Sequence, residues 1–206
     1  MASPAPLNSN PDALIAELAS NARAAQRVLA AMPSAAKEAA LMKAAAALRA
    51  DRDAILAANA KDMAAGQANG LSAAMLDRLQ LDADRLEGIA LAVESVAQLA
   101  DPVGDVIDEA TQPNGLQMRR VRIPIGTIGI IYESRPNVTA DAAALCVRSG
   151  NAALLRGGSE AAHSNRAIEA AFARGLSEGG VPAGAVQLIP TQDRAAVGAM
   201  LTAAGH

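Results

Sequence analysis

Residues 124–160 read PIGTIGIIYESRPNVTADAAALCVRSGNAALLRGGSE. The apolar run 126–132 predicts a strand, and Glu133-Ser134-Arg135-Pro136-Asn137 a polar corner after it. A helix is expected over 138–149, stopped by Gly150-Asn151 in the manner of a left-handed C-cap. A second strand, 152–155, ends on Arg156, and Gly157-Gly158-Ser159 opens another helix. Strand, corner, helix, strand, glycine turn and helix make a βαβα unit of a doubly wound α/β fold.

Ligands of such folds gather at the carboxyl ends of the parallel strands, beside helix N-termini. Arg135 and Arg156 are expected to project from one edge of the sheet. Bare N–H groups of the two following helices are expected to point toward an anion there. This edge reads as a phosphate-handling site.

Outward from this unit, residues 1–9 are rich in Pro, Ser and Asn and are expected to be loose. Asn10-Pro11-Asp12 is a helix start, with Leu14, Leu18, Val28 and Leu29 as its apolar stripe. A second helix follows Pro33-Ser34 with Leu41, Ala45 and Leu48 inward. A third, capped by Asp51, turns Ile55, Leu56 and Met63 inward and ends near Asn69-Gly70. Helices near 72–79 and 82–99 complete a helical part, residues 10–99.

Residues 100–123 form a different unit. The stretches 103–111 and 116–123 are strand-like and join across Gln112-Pro113-Asn114-Gly115, a hairpin loop longer than two residues. Arg119, Arg120 and Arg122 on its second arm suit a solvated ribbon whose charges guard an exposed edge. Within 124–206, a helix over 161–178, a third strand over 185–189 and a last helix ending at 204–206 follow the central unit. The chain stops where another strand is expected.

Hydrophobic residues make up 51% of the chain, but many are alanine, and Tyr132 and Phe172 are the only aromatics. Alanine buries little area, so the packing must come from close helix approach. A formal charge of −3 argues against a nucleic-acid binder. One cysteine excludes an internal disulfide. No basic-plus-apolar leader and no membrane-length apolar run are present, which reads as a soluble cytoplasmic protein.

The strings IYESRPNVTADAAALC, SGN and LRGGSEA-HSN resemble the gamma-glutamyl phosphate reductase family, also called glutamate-5-semialdehyde dehydrogenases, of the aldehyde dehydrogenase superfamily. The likeness covers about the N-terminal half of a family chain. It implies an aldehyde-dehydrogenase-like fold with a partial Rossmann-like parallel sheet. It also implies NADPH-dependent reduction of L-glutamate 5-phosphate to L-glutamate 5-semialdehyde with release of phosphate, in L-proline biosynthesis. The family's nucleophilic cysteine belongs to a later domain, so this chain alone is expected to be inactive. The hairpin at 103–123 becomes a homo-oligomerisation arm.

The resemblance also distributes roles. Asn137 becomes an oxyanion donor, against the plainer role of helix cap. Ser134 and Arg135 fall to the substrate, although Arg135 could simply pair with Glu133. Glu133, Arg156, Gly157, Gly158, Ser159 and Glu160 fall to the cofactor. Arg156 stands where many relatives carry a ribose-reaching lysine, and arginine suits a 2′-phosphate, hence NADP(H) over NAD(H). Gly157 and Gly158 allow close backbone approach and Ser159 caps the next helix, while Glu160 either bonds a ribose hydroxyl or complements a helix dipole. No G-x-G-x-x-G fingerprint is present; Gly126 and Gly129 are spaced G-x-x-G.

Cys146, mid-helix among Ala142, Ala143 and Leu145, reads as a core residue. His163 and His206 do not suggest a metal site. Two rival readings stay open: an NAD(P)-dependent aldehyde oxidiser of the same superfamily, and a non-catalytic helical interaction module.

Overall fold

The computed structural model describes residues 10–203. The loose segment expected at 1–9, the helix end at 204–206 and His206 lie outside these residues. Five helices come first: α1 (Pro11–Ala30), α2 (Ser34–Ala50), α3 (Arg52–Ala68), α4 (Ala73–Leu79) and α5 (Ala83–Ala97). The hairpin β1 (Val106–Thr111) and β2 (Gln117–Val121) follows. The α/β unit runs β3 (Thr127–Ile131), α6 (Asn137–Arg148), β4 (Ala152–Arg156), a 3-10 turn (Ser159–Ala161), α7 (Ala162–Glu178), β5 (Val186–Leu188) and α8 (Arg194–Thr202).

β3, β4 and β5 form one parallel sheet in that order, with Ile128 opposite Ala153 and Leu155 opposite Leu188. The central strand β4 is buried along its whole length. Its alternate residues serve two layers: Ala153 and Leu155 join the core made with α2, α6 and α7, while Ala152 and Leu154 pack with Ala19 and Ala22 of α1. Burial on both faces explains why β4 reads as a continuous apolar run. The stop after α6 has the geometry its sequence implies. Gly150 adopts φ +74°, and Asn151 N–H reaches back to the Cys146 carbonyl at 2.8 Å.

Close helix approach is realised where α2 meets α7. A Cβ on Gly175 would lie 2.5 Å from the Ala44 Cα, and one on Gly179 would lie 2.4 Å from the Ala40 Cα. Two glycines a turn apart therefore seat two alanines a turn apart. Arg148, at the end of α6, ties that helix to the start of α2 and to the segment after α5, donating to the carbonyls of Leu99 (2.8 Å) and Ser34 (3.0 Å). Lys37 is buried against Asp101 at 2.5 Å.

Two helix faces differ from expectation. Of the expected stripe of α1, Leu29 is buried, Leu14 and Leu18 are half-buried and Val28 is 53% exposed, and the rest of the buried face is Ile15, Ala19, Ala22 and Ala25. The seam follows small residues that let α1 settle on β4, so the largest apolar side chains mislead. In α3 the inward face is Ile55, Asn59, Asp62 and Gly66; Leu56 and Met63 stay half-buried. Half of that face is polar, which a search for apolar periodicity passes over.

The hairpin is a separate two-stranded antiparallel sheet, exposed along both strands. Arg119 pairs with Glu109 at 2.9 Å and Arg120 with Asp108, one pair on each face. Its loop closes through Gln112 N–H to the Leu116 carbonyl at 2.8 Å, with Gly115 at φ +85°.

Candidate functional site

The parallel ladder continues one step past β3, where Tyr132 N–H donates to the Arg156 carbonyl at 3.1 Å. The chain then turns through the corner, closed by Arg135 N–H to the Glu133 carbonyl at 2.8 Å, into α6. Two clefts flank this corner. The first, of about 520 Å³, lies between the α4–α5 segment and the start of α6 and is lined by Asp77, Arg78, Arg85, Arg135, Asn137 and Asp141 among others. The second, of about 400 Å³, is lined by Arg78, Glu133, Ser134, Arg135, Gly158 and Glu160 together with apolar residues of α4. Arg78 and Arg135 border both.

Five of the expected site residues therefore meet around the second cleft, and Asn137 joins Arg135 on the first. Arg156, Gly157 and Ser159 line neither. Ser134 Oγ donates to Glu160, and that hydrogen bond is the main reason the Glu160 carboxyl is held below the usual range. Asn137 is the first residue of α6 and caps nothing with its side chain; Nδ2 donates to Asp141 Oδ2 at 2.9 Å. Burial still pushes the Asp141 carboxyl up despite that donor.

Arg156 does not project freely from the sheet edge. It is 8% exposed, donating to the Gly157 carbonyl and, at 3.1 Å, to the Gln192 carbonyl. Among the described residues its buried Nε has no hydrogen-bond partner. β4 is the middle strand, so the loops after β4 and β5 close over its last residue. The space left by the two glycines is filled by the protein itself. A Cβ on Gly157 would meet Asn165 Nδ2 at 2.1 Å, and one on Gly158 would meet Ser134 Oγ at 2.2 Å. Ser159 opens a 3-10 turn whose N-cap is Gly158, and Ala161 is the N-cap of α7, so the expected serine cap is not formed.

The start of α7 is not bare either, contrary to expectation. Asp62 of α3, 2% exposed, accepts from His163 N–H at 3.1 Å, Ser164 N–H at 2.7 Å and Ser164 Oγ at 2.6 Å. A carboxylate from 101 residues away already occupies the anion position at this helix terminus. One turn earlier, Asn59 Nδ2 donates to Ser164 Oγ (3.0 Å) and to the Leu79 carbonyl (2.8 Å), and its Oδ1 accepts from Leu81 N–H (2.8 Å). Thr139 Oγ1 donates to Asn165 Oδ1 at 3.1 Å and lies 2.8 Å from the Tyr132 hydroxyl. This buried network joins α3, α4, α6 and α7 beneath the clefts. Its signal was the 55–59–62–66 spacing, one helix face carrying two polar residues. Arg78, which carries no such pattern, was missed altogether.

Cys146 is 5% exposed within the core, and burial pushes its thiol up to about 11. Among the described residues no group of three or more His, Cys, Asp or Glu could hold a metal ion, and no helix is long and apolar enough to cross a membrane.

Residues 7–206 match the model of the aldehyde dehydrogenase family. The chain is 70% identical, over 202 residues, to the gamma-glutamyl phosphate reductase of Novosphingobium aromaticivorans, covering 98% of this chain and 48% of that protein. The crystal structure of the Thermotoga maritima gamma-glutamyl phosphate reductase superposes with a TM-score of 0.88 at 42% identity, covering 91% of this chain and 45% of that one. The Saccharomyces cerevisiae enzyme of the same name gives 0.81 at 36% identity, with 87% and 47% covered. The chain thus spans about half the length of the relatives it matches. By family model, sequence and fold alike, it belongs to the aldehyde dehydrogenase family.

Proposed function

We propose that these residues supply the substrate corner and nucleotide edge of a reductase that converts L-glutamate 5-phosphate to L-glutamate 5-semialdehyde and phosphate, a step of L-proline biosynthesis. One observation carries this: Arg135 of the ESRPN corner borders both clefts at the carboxyl end of β3, next to Ser134 and Asn137. Arginine there suits a substrate with a phosphate and a carboxylate, which a neutral aldehyde lacks. Relatives named gamma-glutamyl phosphate reductase, at 70% and 68% identity, support the choice of substrate.

In this reading Arg135 and Ser134 orient the substrate. The Asn137 amide, with one N–H held by Asp141, turns its second N–H to the oxygen that becomes negative during acyl transfer. NADP(H), when bound, supplies the hydride. The orphaned, buried Nε of Arg156 fits an anionic group such as a 2′-phosphate, and Glu133 and Glu160 lie on the same edge for ribose hydroxyls. Gly157 and Gly158 keep the turn narrow enough for the edge to close, and Ser159 lies within it. No residue of this chain is assigned as the attacking thiolate, because Cys146 is buried and un-ionised. The setting is cytoplasmic, and the exposed hairpin joins copies of the chain.

The experiment fuses this chain in frame to the remainder of the Novosphingobium aromaticivorans relative. Phosphate-dependent reduction of NADP⁺ by glutamate-5-semialdehyde is then followed. We expect turnover from the fusion and none from the 206-residue chain alone. Arg156→Ala in the fusion should raise KM for NADP⁺ about tenfold or more over any rise for NAD⁺, the size of one lost charge-assisted contact. Equal rises remove the cofactor assignment, and turnover with neutral aldehydes but not with phosphate and the semialdehyde removes the substrate.

A further inference from the structure

Arg78 is the second residue common to both clefts, and its surroundings hold its backbone while leaving its charge unspent. α4 ends one residue later, at Leu79, which is fully buried. Asn59 clips both sides of Gln80, accepting from Leu81 N–H and donating to the Leu79 carbonyl, each at 2.8 Å. Arg85 fastens the same segment from the other side, bonding Asp77 Oδ1 at 2.6 Å and the Gln80 carbonyl at 3.1 Å. Asp77 and Arg85 thereby neutralise each other. The backbone carrying Arg78 is fixed by a buried polar network.

The guanidinium itself is not fixed. Its approach to Glu133 Oε2 is 3.9 Å, and Arg135 approaches the same oxygen at 4.0 Å. Both exceed hydrogen-bond length, so among the described residues no hydrogen bond occupies either side-chain fork. Both arginines are about half exposed and Glu133 is 78% exposed. Exposed ion pairs at such distances contribute little to stability, so folding gives no reason for two arginines here. One carboxylate shared between two guanidiniums leaves a net positive charge. Glu133 does not line the first cleft, where Asp77 is paired with Arg85 and Asp141 accepts from the Asn137 amide, so among the described residues no ion pair opposes the two arginines there.

We infer that Arg78 is a specificity-determining residue of the proposed site, forming with Arg135 a two-guanidinium clamp for one oxyanion of the substrate, phosphate or carboxylate, in the first cleft. This rests on the proposed substrate reading for the ligand's identity, but not for the clamp. Glu133 lies on the second cleft and approaches both guanidiniums only loosely, so an oxyanion in the first cleft binds them without competing against a hydrogen-bonded carboxylate. Asp141, beside the clamp, suits the ammonium of an amino-acid head.

The test needs neither cofactor nor turnover. The ¹⁵N-labelled 206-residue chain is titrated with inorganic phosphate and, separately, with L-glutamate at matched ionic strength. Saturable shifts are expected at residues 77–81 and 135–141. Arg78→Met, which keeps the apolar stem, should weaken binding of at least one ligand about tenfold or more, with Arg78→Lys in between. The ligand affected identifies the oxyanion gripped. Arg52→Met, on the far end of α3, should change neither. Unchanged affinity for both ligands in a folded Arg78→Met chain overturns the clamp, as does the absence of saturable shifts in the wild type. If the clamp binds but the fusion described above shows no phosphate-dependent oxidation of the semialdehyde, the substrate reading fails and Arg78 stands.

Discussion

Cys146 of α6 is a buried member of the main core and borders a shallow cleft with Ile128 and Leu145, and that apolar environment sets its chemistry. Burial pushes its pKa up from 9.0 to about 11, so well below pH 9 the thiolate fraction falls about a hundredfold relative to a free cysteine. Because the folded value is the raised one, this group favours folding below the ordinary thiol pKa. That advantage is lost as pH rises from 9 toward 11. We expect iodoacetamide at pH 8 to leave the native chain unlabelled over times that fully label it in urea, as read by intact mass; rapid native labelling would show an ionised, accessible thiol. The role of Cys146 was legible because apolar neighbours at helical spacing imply burial. Asn59 and Asp62 were not legible in that way. Their inward position follows from partners 22 to 105 residues away, at Leu81, His163 and Ser164.

At the scale of elements, α2 and α7 touch backbone to backbone through Gly175 and Gly179, and glycine in a helix interior is otherwise a liability. Helix propensity alone says Gly175→Ala should stabilise by about 1 kcal/mol. Packing says the reverse, because the new Cβ would stand 2.5 Å from the Lys43 carbonyl oxygen and from the Ala44 Cα, atoms that cannot swing aside. Overpacking of this kind costs about 1–3 kcal/mol, so the net effect should be a lower urea midpoint. Among the described residues nothing lies within 4 Å of where a Cβ on Gly198 of α8 would go, so Gly198→Ala should raise the midpoint. If both variants move the same way, close packing does not govern α2–α7. The strand-corner-helix-strand order of 126–156 was legible because each boundary is local: an apolar run, a proline corner, a glycine C-cap. The seam of α1 was not, since an alanine face gives no contrast against an alanine-rich helix.

For the whole molecule, the hairpin stands outside the shared core of helices and sheet. Two strands without a covered face are marginal in water, yet this pair carries Val106, Ile107, Met118 and Val121 at 40–51% exposure. Leu116, Ile123 and Ile125 beside it are 56–85% exposed. An apolar ribbon of this kind normally lies against something. Its central charges are already paired across the strands, Glu109 with Arg119 and Asp108 with Arg120, so they do little to repel a neighbour. These observations favour the assembly arm over the solvated ribbon. Met118→Lys with Val121→Lys tests the choice, because both side chains are at least 40% exposed and neither belongs to the core. Helical circular dichroism should be unchanged. Light scattering across a hundredfold range of concentration should show the wild type as a multimer and the double variant shifted toward monomer. A wild-type chain that stays monomeric throughout that range would return the hairpin to a solvated role.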